Sequence, residues 1–270
     1  MSFTLLEFTM SRFSNLILST ADDILTVSVN RPEKLNALNL ATLDELKMVF
    51  ESLLRKPALK GVILMGEGEK SFVAGADISE FQNLTKNNGR KFATHGQEIF
   101  NIIEQCPVPV IAIVNGYALG GGLELALSAH IRIGTPNALV GLPEVTLGII
   151  PGYGGSQRLV QTIGKSRALE MMLTGEKIDA QKALDFGLLN YLAKNKNVAN
   201  ELATEIVNKI SKNAPLAVEK IINCANVVGQ NDVNGFEIEA ESFAECCETS
   251  DFKEGTSAFL EKRAPNFTGK

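Results

Sequence analysis

Two carboxylates draw attention because almost nothing around them is polar. Glu124 lies in Asn115-Gly116-Tyr117-Ala118-Leu119-Gly120-Gly121-Gly122-Leu123-Glu124-Leu125-Ala126, flanked by Leu123, Leu125, Ala126 and Leu127. Glu144 is the only ionisable side chain between Arg132 and Tyr153, and Pro143 restrains the backbone beside it. A carboxylate in apolar surroundings is costly unless it is paired or its pKa is raised. A raised pKa suits a group that takes up and releases a proton near neutrality. Each acid also has a plainer role open to it: Glu124 would complement the dipole of a helix starting at the glycines, and Glu144 would be a satisfied structural acceptor.

Backbone donors stand close to these acids in sequence. Gly120, Gly121 and Gly122 separate an apolar β-branched run from a helical pattern, which places free N–H groups at a positive helix end. That is an anion or oxyanion site, or else a means of packing the helix tightly on a sheet. A second donor is Ala76. It precedes Asp77 and Glu80, whose spacing resembles a capping box and predicts a helix from about Ile78. A plain helix start is the alternative there. The turn Pro151-Gly152-Tyr153-Gly154-Gly155 offers a further free amide at Gly152.

Other chemistries find little support. His95 and His130 are too isolated for a metal site and fit surface or packing roles. Gly66 to Ser71 lacks the spacing of a phosphate-binding loop, and no nucleophile elbow is present. Cys106, Cys224, Cys246 and Cys247 show neither a disulfide framework nor metal-ligand spacing, which fits a reducing compartment. The net charge of -5, without a dense basic run, argues against nucleic acid or an anionic membrane as partner.

The elements that must position the acids follow from periodicity. Asn15 to Thr20 and Ile24 to Val29 read as a hairpin across Ala21-Asp22-Asp23, and Leu40 to Leu54 is helical. Gly61 to Gly66 returns as a buried strand, a helix runs from about Asn88 to Glu104, and Pro109 to Val114 is the next strand. His130 to Gly134 and Leu188 to Ala193 are weaker strands. Strands alternating with helices imply an α/β core with largely parallel pairing. After about Lys194 the strand signal stops and four amphipathic helices follow, so residues 1–194 are expected to form the core and 195–270 a helical region where subunits meet.

Two stretches test this picture. From Cys106 to Ala129 the only formal charge is Glu124, close to the length of a membrane span, but strand, turn and buried helix explain its interior better. The first twenty residues carry Glu7 and Arg12 without an uninterrupted apolar run, so no export signal is expected. Met10 offers a second start, which would make residues 1–9 an extension.

These residues resemble the enoyl-CoA hydratase/isomerase, or crotonase, family, and within it the short-chain hydratases. The likeness is carried by NRPEKLNALN (Asn30 to Asn39), SFVAGADISEF, PVIAIVNGYALGGGLELALSAHIRIG, GLPEVTLGIIPGYGGSQRL, LTGEKIDAQKALDFGLLN and EGTSAFLEKRAPNF, in order over almost the whole chain. The resemblance implies a spiral of repeated ββα units and a C-terminal helical region that forms trimers, commonly paired into hexamers. It implies oxyanion-hole amides at Ala76 and Gly121 and catalytic glutamates at Glu124 and Glu144. Retention of both acids favours addition of water to an enoyl-CoA over double-bond isomerisation, another acyl-CoA reaction of the family, or a noncatalytic scaffold.

The resemblance further implies coenzyme contacts at Lys34, Leu35, Ala37, Ala74, Ala76, Asp77, Ile78 and Gly121, with Gly152 beside the attacking water and Lys262 reaching from a neighbouring subunit. No tightly bound cofactor is implied, since coenzyme A arrives as part of the substrate, and the expected setting is cytoplasmic fatty-acid β-oxidation. Ser79 stands where relatives carry a coenzyme-contacting lysine, and His130 where an aspartate is frequent.

Overall fold

The computed structural model describes residues 13–54, 58–230 and 232–270, so the expected extension at residues 1–9 lies outside the described residues. The chain opens with the hairpin of β1 (Leu16–Ala21) and β2 (Ile24–Val29), joined by Asp22 and Asp23 at φ 50° and 64°. Positive φ at both turn residues matches the right-handed twist of the strands. Next come α1 (Leu40–Leu53), β3 (Gly61–Gly66), β4 (Ser71–Val73) and α2 (Lys86–Glu104). The middle of the chain forms β5 (Val110–Val114), β6 (Tyr117–Leu119), α3 (Gly121–Ser128), β7 (Ile131–Gly134) and β8 (Leu139–Gly141). Then follow α4 (Gly155–Ile163), α5 (Lys165–Thr174), β9 (Ile178–Asp179), α6 (Ala180–Asp185) and β10 (Tyr191–Leu192). Four helices complete it: α7 (Lys196–Ile210), α8 (Pro215–Asn226), α9 (Gly235–Glu248) and α10 (Ser250–Glu261).

The strands divide between two sheets. The larger has the order β1-β2-β3-β5-β7-β10 and is parallel apart from the hairpin. Its central strands are buried on both faces, which accounts for their unbroken apolar sequence. Alternation then sorts the side chains. Val62, Leu64, Val110, Ala112 and Val114 join the main core, whereas Ile63, Met65, Ile111 and Ile113 meet Ala199, Ala203 and Val207 of α7 on the opposite face.

The smaller sheet has the order β4-β6-β8-β9, with β4, β6 and β8 parallel. Each of its first three strands follows directly from a strand of the larger sheet: β3 leads to β4 and α2, β5 to β6 and α3, β7 to β8 and α4. This is the expected spiral of ββα units. The segment from Cys106 to Ala129 resolves into β5, β6 and α3, and no helix among the described residues is long and apolar enough to cross a membrane.

One local expectation is corrected. A helix does begin at Ile78, but it is only the short 3-10 helix Ile78–Phe81, and the capping box is not formed. Asp77 caps it by accepting from Ser79 N–H at 3.3 Å. Glu80 does not complete a capping box: its carboxylate reaches across to the start of α1, where Leu40 N–H donates to it at 3.1 Å. A tertiary donor has replaced the local one.

Candidate active site

The small sheet explains why residues far apart in sequence converge. Ala76 follows β4, Gly121 and Glu124 follow β6, and Glu144 follows β8. Because β4, β6 and β8 are neighbours and parallel, their C-terminal ends lie at one edge, where ligands commonly bind in α/β proteins. Gly120 N–H donates to Gly141 C=O at 2.9 Å, which extends the β6–β8 ladder to the site itself.

Two backbone amides face one small space there. Residues 35–38 brace the stretch after β4: Ala74 N–H donates to Leu35 C=O at 3.0 Å, Leu38 N–H to Gly75 C=O at 2.8 Å, and Asp77 N–H to Leu38 C=O at 2.7 Å. These bonds skip Ala76, whose N–H has no acceptor among the described residues. Gly121 begins α3, and the first N–H groups of a helix have no intrahelical acceptor. A Cβ at Gly121 would lie 3.5 Å from Ala76 N, so both donors border the volume that a side chain there would occupy. The adjoining glycines are also required: a Cβ at Gly122 would come within 1.8 Å of Val73 C=O, and one at Gly120, where φ is 50°, within 2.9 Å of Glu144 Oε1.

Arg31 secures this edge, and nothing in its sequence context marked it. Its guanidinium pairs with Asp77 at 3.1 Å and also donates to Ala37 C=O. The Ser79 hydroxyl and then Arg31 hold the Asp77 carboxyl below its usual range. The loop before α1 is thereby tied to the strand that carries Ala76.

Glu124 is 1% exposed, and its Oε1 accepts from Tyr153 N–H at 2.8 Å and Gly155 N–H at 2.7 Å. Burial pushes its pKa up to about 7; the Gly155 hydrogen bond opposes this and the charge of Glu144 adds to it. The two backbone donors come from the turn predicted to offer a free amide, so that turn serves the acid directly. Buried Arg158 of α4 fixes the turn from behind, donating to Tyr153 C=O at 3.0 Å and to Glu104 at 2.9 Å, and also bonding Asn101. Arg158, like Arg31, was not legible as a site residue.

Glu144 opens the 3-10 turn Glu144–Leu147 after Pro143, and burial pushes its pKa up to about 6. Its Oε2 is buried with no hydrogen-bond partner among the described residues. An orphan carboxylate oxygen beside Gly120 and within electrostatic reach of Glu124 is free to hold a small polar molecule.

The remaining predicted residues fall into two groups. Lys34 ends a 3-10 turn, Leu35 (φ 52°) and Ala37 follow it, and with Ala74, Asp77 and Ile78 they form the paired strips that border Ala76. Gly152 lies in the turn that binds Glu124, and its C=O accepts from Gln97 at 2.8 Å. Lys262 caps α10, where its N–H bonds within its own helix end, and among the described residues no hydrogen bond or ion pair ties its side chain to the site. His130 is a packing residue, accepting from Val110 N–H at 2.9 Å and lying 3.0 Å from Glu104 C=O, and His95 pairs with Asp44. No cluster among the described residues has the makings of a metal site.

Comparison with known proteins fits this architecture. A sequence model of the enoyl-CoA hydratase/isomerase family matches residues 19–270, and the chain belongs to that family. It is 45% identical over 251 residues to the short-chain-enoyl-CoA hydratase of Clostridium acetobutylicum, spanning 93% of this chain and 96% of that one. It is 42% identical over 259 residues to the crotonyl-CoA hydratase of Syntrophomonas wolfei subsp. wolfei, spanning 96% and 99%. The crystal structure of an enoyl-CoA hydratase from Bacillus anthracis matches with a TM-score of 0.87 at 37% identity, covering 95% of this chain and all of that one (100%).

Proposed function

We propose that the chain is an enoyl-CoA hydratase, which adds water reversibly across the 2,3 double bond of an enoyl-CoA thioester to give a 3-hydroxyacyl-CoA. The observation that carries this reading is a pair of buried carboxylates, both with pKa values pushed above the ordinary carboxylate range, beside two unbonded amides.

The thioester oxygen is held by the N–H groups of Ala76 and Gly121, at the positive end of α3. Electron density drawn toward that oxygen leaves the β-carbon electrophilic. A water between Glu124 and Glu144, oriented by Gly152 N–H, gives a proton to one carboxylate as its oxygen bonds the β-carbon. The π electrons move onto the α-carbon and the thioester oxygen, and the other carboxyl delivers its proton to the α-carbon. One acid must therefore start ionised and the other protonated, as a coupled pair sharing a proton does. Thioester and one water balance the reaction, so coenzyme A enters only as part of the substrate.

Lys34, Leu35, Ala37, Ala74, Asp77 and Ile78 form the ledge along which the coenzyme lies, with exposed Leu35 and Ile78 giving it an apolar surface. Residues 1–194 carry the acyl-CoA site and 195–270 assemble the chain into a trimer or a pair of trimers, with Lys262 reaching a neighbour's coenzyme. Supporting this, Phe236 and Phe259 are 86% and 83% exposed on the C-terminal helices of a single chain. The setting proposed is the cytoplasm and fatty-acid β-oxidation.

Crotonyl-CoA mixed with the protein should lose the absorbance of its conjugated thioester. A 3-enoyl-CoA that migrates its double bond while crotonyl-CoA stays unhydrated would identify an isomerase and overturn the reading.

A further inference from the structure

Tyr153 has a second relation to the site besides the amide it gives to Glu124. Its backbone is held at both ends, N–H by Glu124 and C=O by Arg158, so its side chain leaves from a fixed point beside the acid. The ring is 3% exposed and lies between α2 and α3 at positions where both helices carry glycine. A Cβ at Gly96 would come within 2.1 Å of ring atom Cδ1, and one at Gly121 within 3.2 Å of Cδ2 and Cε2. Phe92 and Phe100 of α2 pack on it at centroid distances of 5.6 and 5.5 Å, and Phe81 closes on Phe92 at 5.4 Å. The hydroxyl is buried without a partner among the described residues.

Resting on the hydratase reading, we propose that Tyr153 is the specificity-determining wall of the acyl pocket and restricts the enzyme to short acyl chains. With the thioester oxygen at Ala76 and Gly121 and the reacting carbons between the two acids, the acyl tail must leave past the face of Gly121 that the ring covers. The aromatic side chains of α2 stand behind that ring and keep it from yielding. A longer tail needs the ring displaced, which the two bonds on the Tyr153 backbone resist.

The test measures hydration of 2-enoyl-CoA thioesters with four, six, eight and ten acyl carbons by wild type, Tyr153→Phe, Tyr153→Leu and Tyr153→Ala. Calorimetric binding of butyryl-CoA and decanoyl-CoA is measured alongside. Wild type should favour the four-carbon over the ten-carbon substrate by roughly tenfold or more in kcat/KM, as expected when added methylenes meet a closed pocket. Tyr153→Phe should keep that ratio, and Tyr153→Leu and Tyr153→Ala should move it toward the long chain by roughly tenfold or more. An unchanged ratio in folded Tyr153→Ala or Tyr153→Leu would overturn the wall. So would a Tyr153→Phe ratio unlike wild type, which would assign selection to the hydroxyl. If the variants fail to fold, wild-type binding decides alone: decanoyl-CoA held as tightly as butyryl-CoA overturns the proposal. If wild type hydrates none of the thioesters, the hydratase reading fails, and the binding ratio still judges the wall.

Discussion

Glu124 and Glu144 stand at the ends of adjacent parallel strands, yet the protein treats them differently. Glu124 sits in the first turn of α3, almost fully buried, with two backbone donors on one oxygen and Arg158 behind them. Glu144 opens a 3-10 turn whose following residues, including Leu147 and Ile150, are exposed, and one of its oxygens has no partner. Glu124 is held through one oxygen by two backbone donors, whereas Glu144 has a buried oxygen with no partner among the described residues. A water bound between them would be located by the first and completed by the second.

The largest expected effects come from neutralising either acid. Glu124→Gln and Glu144→Gln should each lower kcat on crotonyl-CoA by about 10²–10⁴-fold with little change in KM, measured by steady-state kinetics. Next comes the donor pair. Gly121→Ala would place a methyl group between the ring of Tyr153 and Ala76 N, and turnover should fall by about 10²–10³-fold while the circular dichroism spectrum stays native. Gly122→Ala is the contrasting control. Its Cβ would strike Val73 C=O, so it should lower thermal stability rather than act on turnover alone.

The pH dependence sharpens the comparison further. If the proposed mechanism holds, with one acid ionised and one protonated, kcat/KM should rise through about pH 6 and decline above about pH 7, following the two raised pKa values. Stability should respond to Glu124 in one direction. Its folded pKa lies above the unfolded value of 4.5, so its contribution is fully present below pH 4.5 and is lost as pH rises through about 7. At pH 8 the buried charge costs about 3 kcal/mol. Glu124→Gln keeps an acceptor oxygen for Tyr153 and Gly155 but carries no charge. It should therefore melt several degrees above wild type at pH 8, and the gap should close toward pH 4.5 in thermal scans.

Much of this was legible in the sequence, for identifiable reasons. The buried strands β3 and β5 announce themselves as short β-branched runs, and each glutamate is conspicuous because its neighbours are apolar. The small sheet was not legible, although it sets the whole site: its strands are two or three residues long, too short to display alternation. Arg31 and Arg158 carry no local signal because their partners lie 46 and 54 positions away, at Asp77 and Glu104. Glu80 likewise finds its partner far along the chain, at the start of α1, 40 positions away. The motifs singled out Glu124 and Glu144 as candidates; the long-range ties around them are visible only in the fold.

The central claim is that Glu124 and Glu144 work as one unit on one water. Comparing Glu124→Gln, Glu144→Gln and the double variant for crotonyl-CoA hydration tests it most directly. If the pair is a unit, the double variant should lose little more than the more damaged single one, because either change alone disables the shared water. Losses that multiply, or near-native turnover in either single variant, would contradict the account.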